Sequence, residues 1–266
     1  MTQKTQDSPE YLEKKRFFNQ ILTIYGRNPV HEALQDKNVT AYRLHLADSN
    51  KPAKALDTII SLAKQKGAEV LYHSKSDLSR ISKNAKQDQG IAVDLKMNHF
   101  HDFDELLSQP ISHASDNNTP IELIALDRVT NPQNVGMIIR SVCASPMHGL
   151  ILPRQGCAKL DSLVIKASAG TLFKAKIYRC DNLAKSLAKA KEQAYNIVGL
   201  EAFAKTSLQN FTSNTPNIFV MGNETDGLSE SVKNLCTHTV NIPMNNNVES
   251  LNVAVTASLL AFRRIT

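Results

Sequence analysis

Short apolar segments alternate with helix-like segments through the second half of the chain, and this alternation restricts the fold more than any other feature. Strand-like runs occupy 121–126, 149–152, 196–200, 217–221 and 239–242, and helical spacing is found at 135–144, 160–169, 182–195 and 251–265. The alternation indicates an α/β domain whose parallel sheet is covered by helices on both faces. Ligands of such sheets bind beyond the carboxyl ends of the strands. A site is therefore expected in the loops that follow the first, third, fourth and fifth of these strands.

Composition excludes several classes of protein. Hydrophobic residues make up 42% and charged residues 21% of the 266 residues, which is ordinary for a globular protein and rules out disorder over the whole chain. No apolar run reaches the roughly 18 residues of a membrane helix, and the polar N-terminus has no signal-peptide core, so we expect a cytoplasmic protein with no membrane partner. The four cysteines form no C-x-x-C pair and match no zinc spacing, so free thiols and no bound metal are expected.

Charge divides the chain into two basic blocks with an acidic segment between them. Residues 1–97 carry a net charge of +5, residues 98–120 carry −4, and residues 121–266 carry +5. The acidic segment continues into a stretch rich in Ser, Asn and Pro, which is typical of an exposed linker. We therefore expect a mobile tail over 1–21, a small α/β domain over 22–97, a linker over 98–120 and a second domain over 121–266. The basic blocks permit a polyanionic partner, although a solvated basic surface would have the same composition.

The loop after the first strand lacks the G-x-G-x-x-G pattern of dinucleotide-binding folds and of ordinary Rossmann methyltransferases. It carries N-x-G-x-x-x-R instead, as Asn134, Gly136 and Arg140. Taken alone, Asn134 fits a helix cap and Arg140 fits a surface side chain. Gly136 costs about 1 kcal/mol within a helix, so it indicates a close approach of another backbone segment.

Two further loops carry polar side chains beside a glycine or at the start of a helix. Gly222 and Glu224 lie in a G-x-E-x-x-G turn that leads into a predicted helix over 228–236. Such turns are common between strands and helices, but here Gly222 would also let a ligand touch the backbone, while Glu224 would accept a hydrogen bond. In the last loop, Ser250 and Asn252 bracket the predicted start of the closing helix. Asn252 lies among apolar residues, where a polar side chain needs a partner.

Taken together, the three loops resemble those of one family. The order P-x-N-x-G-x-x-x-R, then G-x-E-x-x-G, then I-P-M followed by S-L-N-V is similar to that of the SpoU/TrmH family of RNA ribose 2′-O-methyltransferases, within the SPOUT superfamily. The resemblance covers 121–266 closely. It extends more weakly to 22–97, where Y-G-R-N-P-V-H-E-A-L at 25–34 and Q-G-I at 89–91 resemble the start and end of the family's RNA substrate-binding domain.

The resemblance implies an enzyme that transfers a methyl group from S-adenosylmethionine to a ribose 2′-hydroxyl in structured RNA. It also implies an α/β fold in which a small substrate-binding domain precedes a parallel-sheet SPOUT domain with a C-terminal trefoil knot, and a homodimer with active sites at the interface. By motif position, the residues that carry catalysis and substrate positioning would be Asn134, Arg140, Glu224, Ser250 and Asn252. The residues that hold the cofactor would be Leu200, Glu201, Ala202, Gly222, Ile242, Met244 and Leu251.

The chain departs from the family pattern in the third motif. Asn246 stands where the family usually has glycine, and Ala254 stands where serine is frequent. Asparagine tolerates a left-handed backbone better than most residues, so Asn246 is expected to make the same turn. The five key side chains are present, so these changes bear on the fit of the loop to cofactor and RNA more than on activity.

The chemistry needs alignment more than activation of the donor. A ribose hydroxyl is a weak nucleophile at neutral pH, whereas the methyl group of a sulfonium is already activated. A guanidinium does not act as a base, so we interpret Arg140 as a bidentate clamp on the phosphate beside the target ribose. Asn252 and Ser250 would orient Arg140 or the ribose, and Glu224 would orient Arg140 or Asn134.

Two alternatives stay open at the level of sequence. Ribosomal RNA is the favoured substrate, because many tRNA-modifying relatives lack the separate N-terminal domain, but a tRNA substrate is the first alternative. The second alternative is a non-catalytic RNA-binding or ribosome-assembly protein that kept the fold. The intact set of key side chains argues against it, and failure to bind S-adenosylmethionine would favour it.

Overall fold

The computed structural model describes residues 10, 13, 14, 17, 18, 20–37, 39–108 and 120–265. Contacts divide the chain into two compact units, residues 1–100 and 101–266. Of the tail predicted over 1–21, the structure describes residues 10, 13, 14, 17, 18, 20 and 21, and the last of these begins the first strand.

The first unit is a four-stranded sheet with helices. Its strands, in the spatial order β1-β4-β2-β3, are β1 (Ile21–Tyr25), β2 (Thr40–Ala47), β3 (Glu69–His73) and β4 (Ile91–Lys96). Its helices are α1 (Arg27–Gln35), α2 (Lys54–Gln65) and α3 (Lys75–Ser82). β4 pairs antiparallel with β1 and β2, and β2 pairs parallel with β3. The predicted small α/β fold is therefore present.

A row of polar side chains crosses one face of this sheet. Thr23 Oγ1 donates to Asp94 Oδ1 over 2.6 Å, and Asp94 Oδ2 lies 3.1 Å from Nε2 of the buried His45. His45 Nδ1 lies 3.0 Å from His73 Nε2. Burial opposes ionisation of Asp94, but the hydrogen bonds from His45 and Thr23 outweigh it, so the pKa of this carboxyl is lowered. Polar contacts thus join all four strands on this face.

The second unit is built on an eight-stranded sheet in the order β10-β12-β9-β11-β6-β7-β8-β5. Its strands are β5 (Phe100–Asp102), β6 (Glu122–Leu126), β7 (Gly149–Pro153), β8 (Ile177–Cys180), β9 (Asn196–Leu200), β10 (Thr206–Ser207), β11 (Asn217–Met221) and β12 (His238–Asn241). Its helices are α4 (Phe103–Leu107), α5 (Pro132–Ala144), α6 (Ser162–Ala167), α7 (Leu183–Glu192), α8 (Glu230–Lys233) and α9 (Val253–Ala261), with short 3₁₀ turns at Thr171–Phe173 and Leu208–Asn210. The strands from β10 to β8 pair in parallel.

Helices cover both faces of this sheet, as the sequence predicts. On one face, Phe103 of α4 and Leu187 of α7 pack on alternate strand residues such as Ile151 and Ile218. On the other face lie α5, α6 and α9, with α5 packed against both of its neighbours. The five predicted strands are all present, whereas β5, β8 and β10 had no strand prediction, and the helix predicted over 228–236 is reduced to α8.

The segment predicted as a linker is partly built into the second unit. Residues 109–119 lie outside the described residues, but β5 and α4 occupy the positions just before them. Phe103 is fully buried, and Asp102 caps α4 by accepting from Asp104 N over 2.9 Å. The prediction of an exposed linker is wrong for these residues, because their apolar side chains have helical spacing and outweigh the acidic composition.

Gly136 lies where α5 touches α6. A Cβ at this position would lie 2.5 Å from Ala167 Cβ, 2.8 Å from Val164 O and 2.9 Å from Ser168 N. Two of these three atoms belong to backbone and cannot rotate away. The predicted close approach of another backbone segment is therefore confirmed, and its partner is α6.

Three further observations concern membrane helices, metal sites and cysteines. Within them, no helix is long and apolar enough to cross a membrane. No group of three or more His, Cys, Asp or Glu side chains in the same residues is placed to hold a metal ion. All four cysteines are free thiols, as predicted, and Cys180 is buried.

Candidate active site

Asn131, not Asn134, caps α5. The Asn131 side chain accepts from Gln133 N over 2.9 Å and from Asn134 N over 3.4 Å. Pro132 follows at the first helical position, where its missing N–H costs nothing. The side chain of Asn134 is therefore free for another role, and the residue is buried, with 6% of its surface exposed.

The Asn134 amide joins the three motifs of the sequence. Its Nδ2 donates to Glu224 Oε1 in the loop after β11, and its Oδ1 accepts from Asn252 Nδ2 over 3.1 Å. A buried amide with both ends paired is held in one orientation. We call this group of Asn134, Glu224 and Asn252 the amide network.

Asn252 is also the N-cap of α9. Its Oδ1 accepts from Ala254 N over 2.9 Å and from Val255 N over 3.4 Å, while its Nδ2 reaches Asn134. The helix predicted from the sequence starts at 251 and so includes Asn252, but α9 begins at Val253, directly after Asn252. One side chain therefore starts the helix and completes the amide network.

Gly222 is required by the turn that it opens. A Cβ on Gly222 would lie 2.1 Å from the carbonyl carbon of Gly227 and 2.4 Å from Leu228 N. Asn223 N donates to Gly227 O over 3.1 Å, and Gly227 N donates back over 2.9 Å. The close backbone contact expected for a ligand at Gly222 is thus made by the chain itself, in a turn that presents Glu224 to Asn134.

A cavity of about 920 Å³ opens beside the third motif, between the loops that follow β9 and β12. Six of the seven residues predicted to hold a cofactor line it, and Gly222 does not; the six are Leu200, Glu201, Ala202, Ile242, Met244 and Leu251. Exposed Ser250 lines it too, next to Leu251. Asn246 adopts φ 57°, which confirms the predicted left-handed turn, and Asn247 adopts the same φ.

Several cavity residues were not singled out from the sequence. Phe203 lines the cavity and is 99% exposed, and Thr256 reaches it from α9. Both lie within a few residues of predicted positions, but no motif marks them. The charge of Glu201 is already engaged, because Lys233 Nζ of α8 lies 3.1 Å from its Oε1.

Arg140 stands apart from the amide network within one chain. It lies six residues after Asn134 on α5, which is about 9 Å along the helix axis and on another side of the helix. Arg140 is exposed, and within the described residues it forms no hydrogen bond or ion pair. The structure therefore brings together Asn134, Glu224 and Asn252, places Ser250 at the cavity, and leaves Arg140 on the surface.

These features define an α/β enzyme with its site at the carboxyl edge of a parallel sheet, and comparison identifies its family. The model of the SpoU rRNA Methylase family matches residues 122–262. The model of the RNA 2′-O ribose methyltransferase substrate-binding domain matches residues 23–101. The chain belongs to the SpoU methylase family and is an RNA ribose methyltransferase.

Longer relatives that match most of this chain support the assignment. An uncharacterized tRNA/rRNA methyltransferase from Mycolicibacterium gilvum is 33% identical over 237 residues, which are 89% of this chain and 74% of the relative. One from Mycobacterium leprae is 32% identical over 257 residues, which are 97% of this chain and 80% of the relative.

Solved structures share the fold. The AdoMet-bound rRNA methyltransferase from Sinorhizobium meliloti matches with a TM-score of 0.61 and 20% identity, over 94% of this chain and 89% of that one. The SpoU methyltransferase AviRb from Streptomyces viridochromogenes, in complex with AdoMet, matches with a TM-score of 0.58 and 20% identity, over 97% of this chain and 92% of that one. At this identity the likeness establishes the fold alone, a small α/β domain followed by a parallel-sheet domain.

Proposed function

We propose that this protein uses S-adenosylmethionine to methylate a ribose 2′-hydroxyl in structured RNA, as a homodimer. The observation that carries the proposal is the amide network, in which Asn134 is held by Glu224 on one side and by Asn252 on the other. Asn252 directly follows Leu251, which lines the cavity. A fixed polar group beside a cavity suits the positioning of a second substrate against a bound cofactor.

The cavity fits S-adenosylmethionine in size and chemistry. Its volume of about 920 Å³ lies in the range of small-molecule sites, and apolar Leu200, Ile242 and Leu251 line it together with polar loop residues. The S. meliloti and Streptomyces structures contain the same molecule, which supports the assignment by analogy. When bound, S-adenosylmethionine supplies an activated methyl group.

The residues of this chain would bind and align the ribose. Glu224 accepts from Asn134, so of its two predicted partners we assign it Asn134. With one N–H used by Glu224 and the carbonyl used by Asn252, the Asn134 amide keeps one N–H for the substrate. Ser250, exposed at the cavity, would contact the ribose.

Arg140 would act across a dimer interface. An apolar stripe on α9, formed by Val255, Leu259 and Phe262, is 48%, 47% and 38% exposed, and Met137 on α5 is 42% exposed. These residues are spaced for one helix face and would be covered by a second copy of the chain. Arg140, one turn after Met137, would then reach the site of the partner subunit and clamp the phosphate beside the target ribose.

Further parts of the proposal concern the RNA substrate, the cellular location, the need for metal or membrane, and the chain topology. Ribosomal RNA is favoured over tRNA, because the chain has the substrate-binding domain and because the family model is named for rRNA. We propose a cytoplasmic location and a dependence on neither metal nor membrane. We also propose the family's trefoil knot, which is supported by the return of the chain from β12 to α9 beside α5.

Methyl transfer to RNA tests the proposal. Labelled S-adenosylmethionine is incubated with total RNA from a host that lacks this gene, and the label is mapped by RNA size class and by nucleoside digestion. We expect a 2′-O-methyl nucleoside in large rRNA, its loss with Arg140→Ala, and its retention with Lys185→Gln, which removes an exposed charge from α7. Label in tRNA would overturn the substrate assignment, and no label together with no cofactor binding would overturn the activity.

A further inference from the structure

Two arginines lie side by side at the carboxyl edge of the second sheet. Arg179 belongs to β8, and Arg154 directly follows β7, whose Leu152 pairs in register with Arg179. Tyr178 and Cys180 face the core beneath α7, so Arg179 points to the opposite face of the sheet, and alternation along the strand places Arg154 on that face as well. We call these two residues the arginine pair.

The arginine pair is not satisfied by the rest of the protein. Arg154 Nη2 and Arg179 Nη1 are both shielded from solvent and have no hydrogen-bond partner among the described residues. Arg154 Nε lies 3.0 Å from Asp181 Oδ1, whereas Arg179 forms no hydrogen bond or ion pair within the same part of the chain. Among these residues, the Asp181 carboxylate therefore pairs with Arg154 alone. Arg179 is half-buried, and a partly buried cation without a partner is costly, which points to a missing anion.

The charge on Arg179 persists in these surroundings. Burial, and then the neighbouring Arg154 guanidinium, lower the pKa of Arg179 to about 10. The group is still protonated at neutral pH. Arg128 also has a shielded Nε without a hydrogen-bond partner among the described residues, but its guanidinium lies 3.8 Å from Asp127 and 3.5 Å from Asp226 and donates to Gly227 O.

We propose that the arginine pair binds a backbone phosphate of the RNA substrate, as a subsite distinct from the phosphate clamp assigned to Arg140. This inference rests on the proposed function for the identity of the anion. Planar guanidinium forks match the oxygens of a phosphate, and the N–H groups of the pair that reach solvent would donate to it. Arg154 keeps 28% of its side chain exposed, so an anion can approach the pair from solvent. The subsite lies on the same sheet edge as Asn134 and would fix RNA beside the target nucleotide.

Inorganic phosphate is the first probe. Thermal unfolding is measured in phosphate and in chloride at equal ionic strength for the wild type, for Arg179→Met and for the control Lys185→Gln. Phosphate near ten times its Kd should raise the Tm of the wild type and of the control by about 2–4 °C and leave that of Arg179→Met unchanged. Because Arg179 has no partner to lose, Arg179→Met should fold and should be at least as stable as the wild type in chloride.

RNA is the second probe. The RNA association constant K falls with salt concentration. The slope of log K against log salt concentration should become less steep by about 0.7–0.9 in Arg179→Met and stay unchanged in Lys185→Gln. If Arg179→Met does not fold, the partly exposed Arg154→Gln takes its place and should show the same two losses. Equal responses of the arginine variant and the control to phosphate and to salt would overturn the subsite. Methyl transfer by the wild type is measured separately. Its absence would contradict the proposed function. Normal transfer, together with equal responses of Arg179→Met and Lys185→Gln to phosphate and to salt, would contradict only the subsite.

Discussion

At the scale of the residue, Asn252 performs two tasks with two different atoms. Its oxygen caps α9, and its amide nitrogen donates to Asn134. The tasks can be separated, because aspartate keeps the capping oxygen but lacks the N–H donor.

We therefore predict that two variants of Asn252 lose the same activity but differ in stability. Asn252→Asp should have a Tm within a few degrees of that of the wild type. Its rate of methyl transfer should fall at least about tenfold, since one lost hydrogen bond in a preorganised site is worth more than 1.4 kcal/mol. Asn252→Ala should lose the same activity and also about 1 kcal/mol of stability with the cap. Thermal unfolding and single-turnover methyl transfer measure the two effects. Wild-type turnover by Asn252→Asp would remove the amide network from the mechanism.

Individual residues also show what sequence can and cannot specify. The close contact at Gly136 was predictable, because glycine inside a helix is unfavourable unless a neighbour needs the space. The role of Gly222 was not, because a strand-end glycine serves a ligand and a tight turn equally well. Asn134 and Asn131 are both good capping residues, and only the start of α5 decides which of them is free to bind.

At the scale of the element, the loop from Ile242 to Leu251 shapes the cavity through two consecutive left-handed residues, Asn246 and Asn247. Asparagine adopts this conformation at modest cost, glycine at none, and a β-branched residue at about 1–2 kcal/mol.

A substitution series at Asn246 tests this turn. Asn246→Gly should bind S-adenosylmethionine within about twofold of the wild type, and Asn246→Val should bind it about tenfold more weakly, since 1.4 kcal/mol corresponds to a factor of ten. Calorimetric titration measures the Kd, and thermal unfolding shows whether the fold is kept. Equal affinities for Gly and Val would mean that the left-handed turn does not shape the cofactor site.

The polar row in the first unit predicts a pH dependence. Because the folded pKa of Asp94 lies below its ordinary value of 3.8, the ionised carboxylate stabilises this unit fully above that value and loses its effect as pH falls through the lower folded pKa. Asp94→Asn should cost about 1–2 kcal/mol at pH 6 and progressively less toward pH 3. Hydrogen exchange in β4, corrected for intrinsic rates, reports the difference. The exposed Asp77→Asn serves as control, and a loss for Asp94→Asn that is constant from pH 6 to pH 3 would contradict the assignment.

Elements differ in how far the sequence determines them. Central strands such as β6 and β11 are continuous apolar runs bounded by polar loops, so the sequence predicts them well. β8 alternates between core residues and the half-buried Arg179, and an arginine within a strand makes an apolar run hard to see. β5 and α4 were hidden by their acidic residues, because Asp102 and Asp104 suggested a linker although one caps α4 and the other pairs with Lys189.

At the scale of the whole molecule, the proposed function divides each active site between two copies of the chain. The amide network and the cavity are formed within the second unit, whereas Arg140 lies outside them beside the exposed stripe of Val255, Leu259 and Phe262. A two-fold symmetric dimer through this stripe would place each Arg140 at the site of the partner subunit and would build two equivalent sites.

Mixing two inactive variants tests whether subunits share a site. Arg140→Ala lacks the clamp, and Asn134→Ala lacks the amide network, so each should be inactive alone. Random exchange of subunits makes half of the dimers mixed, and each mixed dimer regains one intact site from Arg140 of one chain and Asn134 of the other. Methyl transfer should therefore return to about a quarter of the wild-type level. If both groups act within one chain, mixing restores nothing. Leu259→Glu, which places a charge in the apolar stripe, should abolish both the dimer seen by light scattering and the complementation, because the shared site exists only where two copies meet.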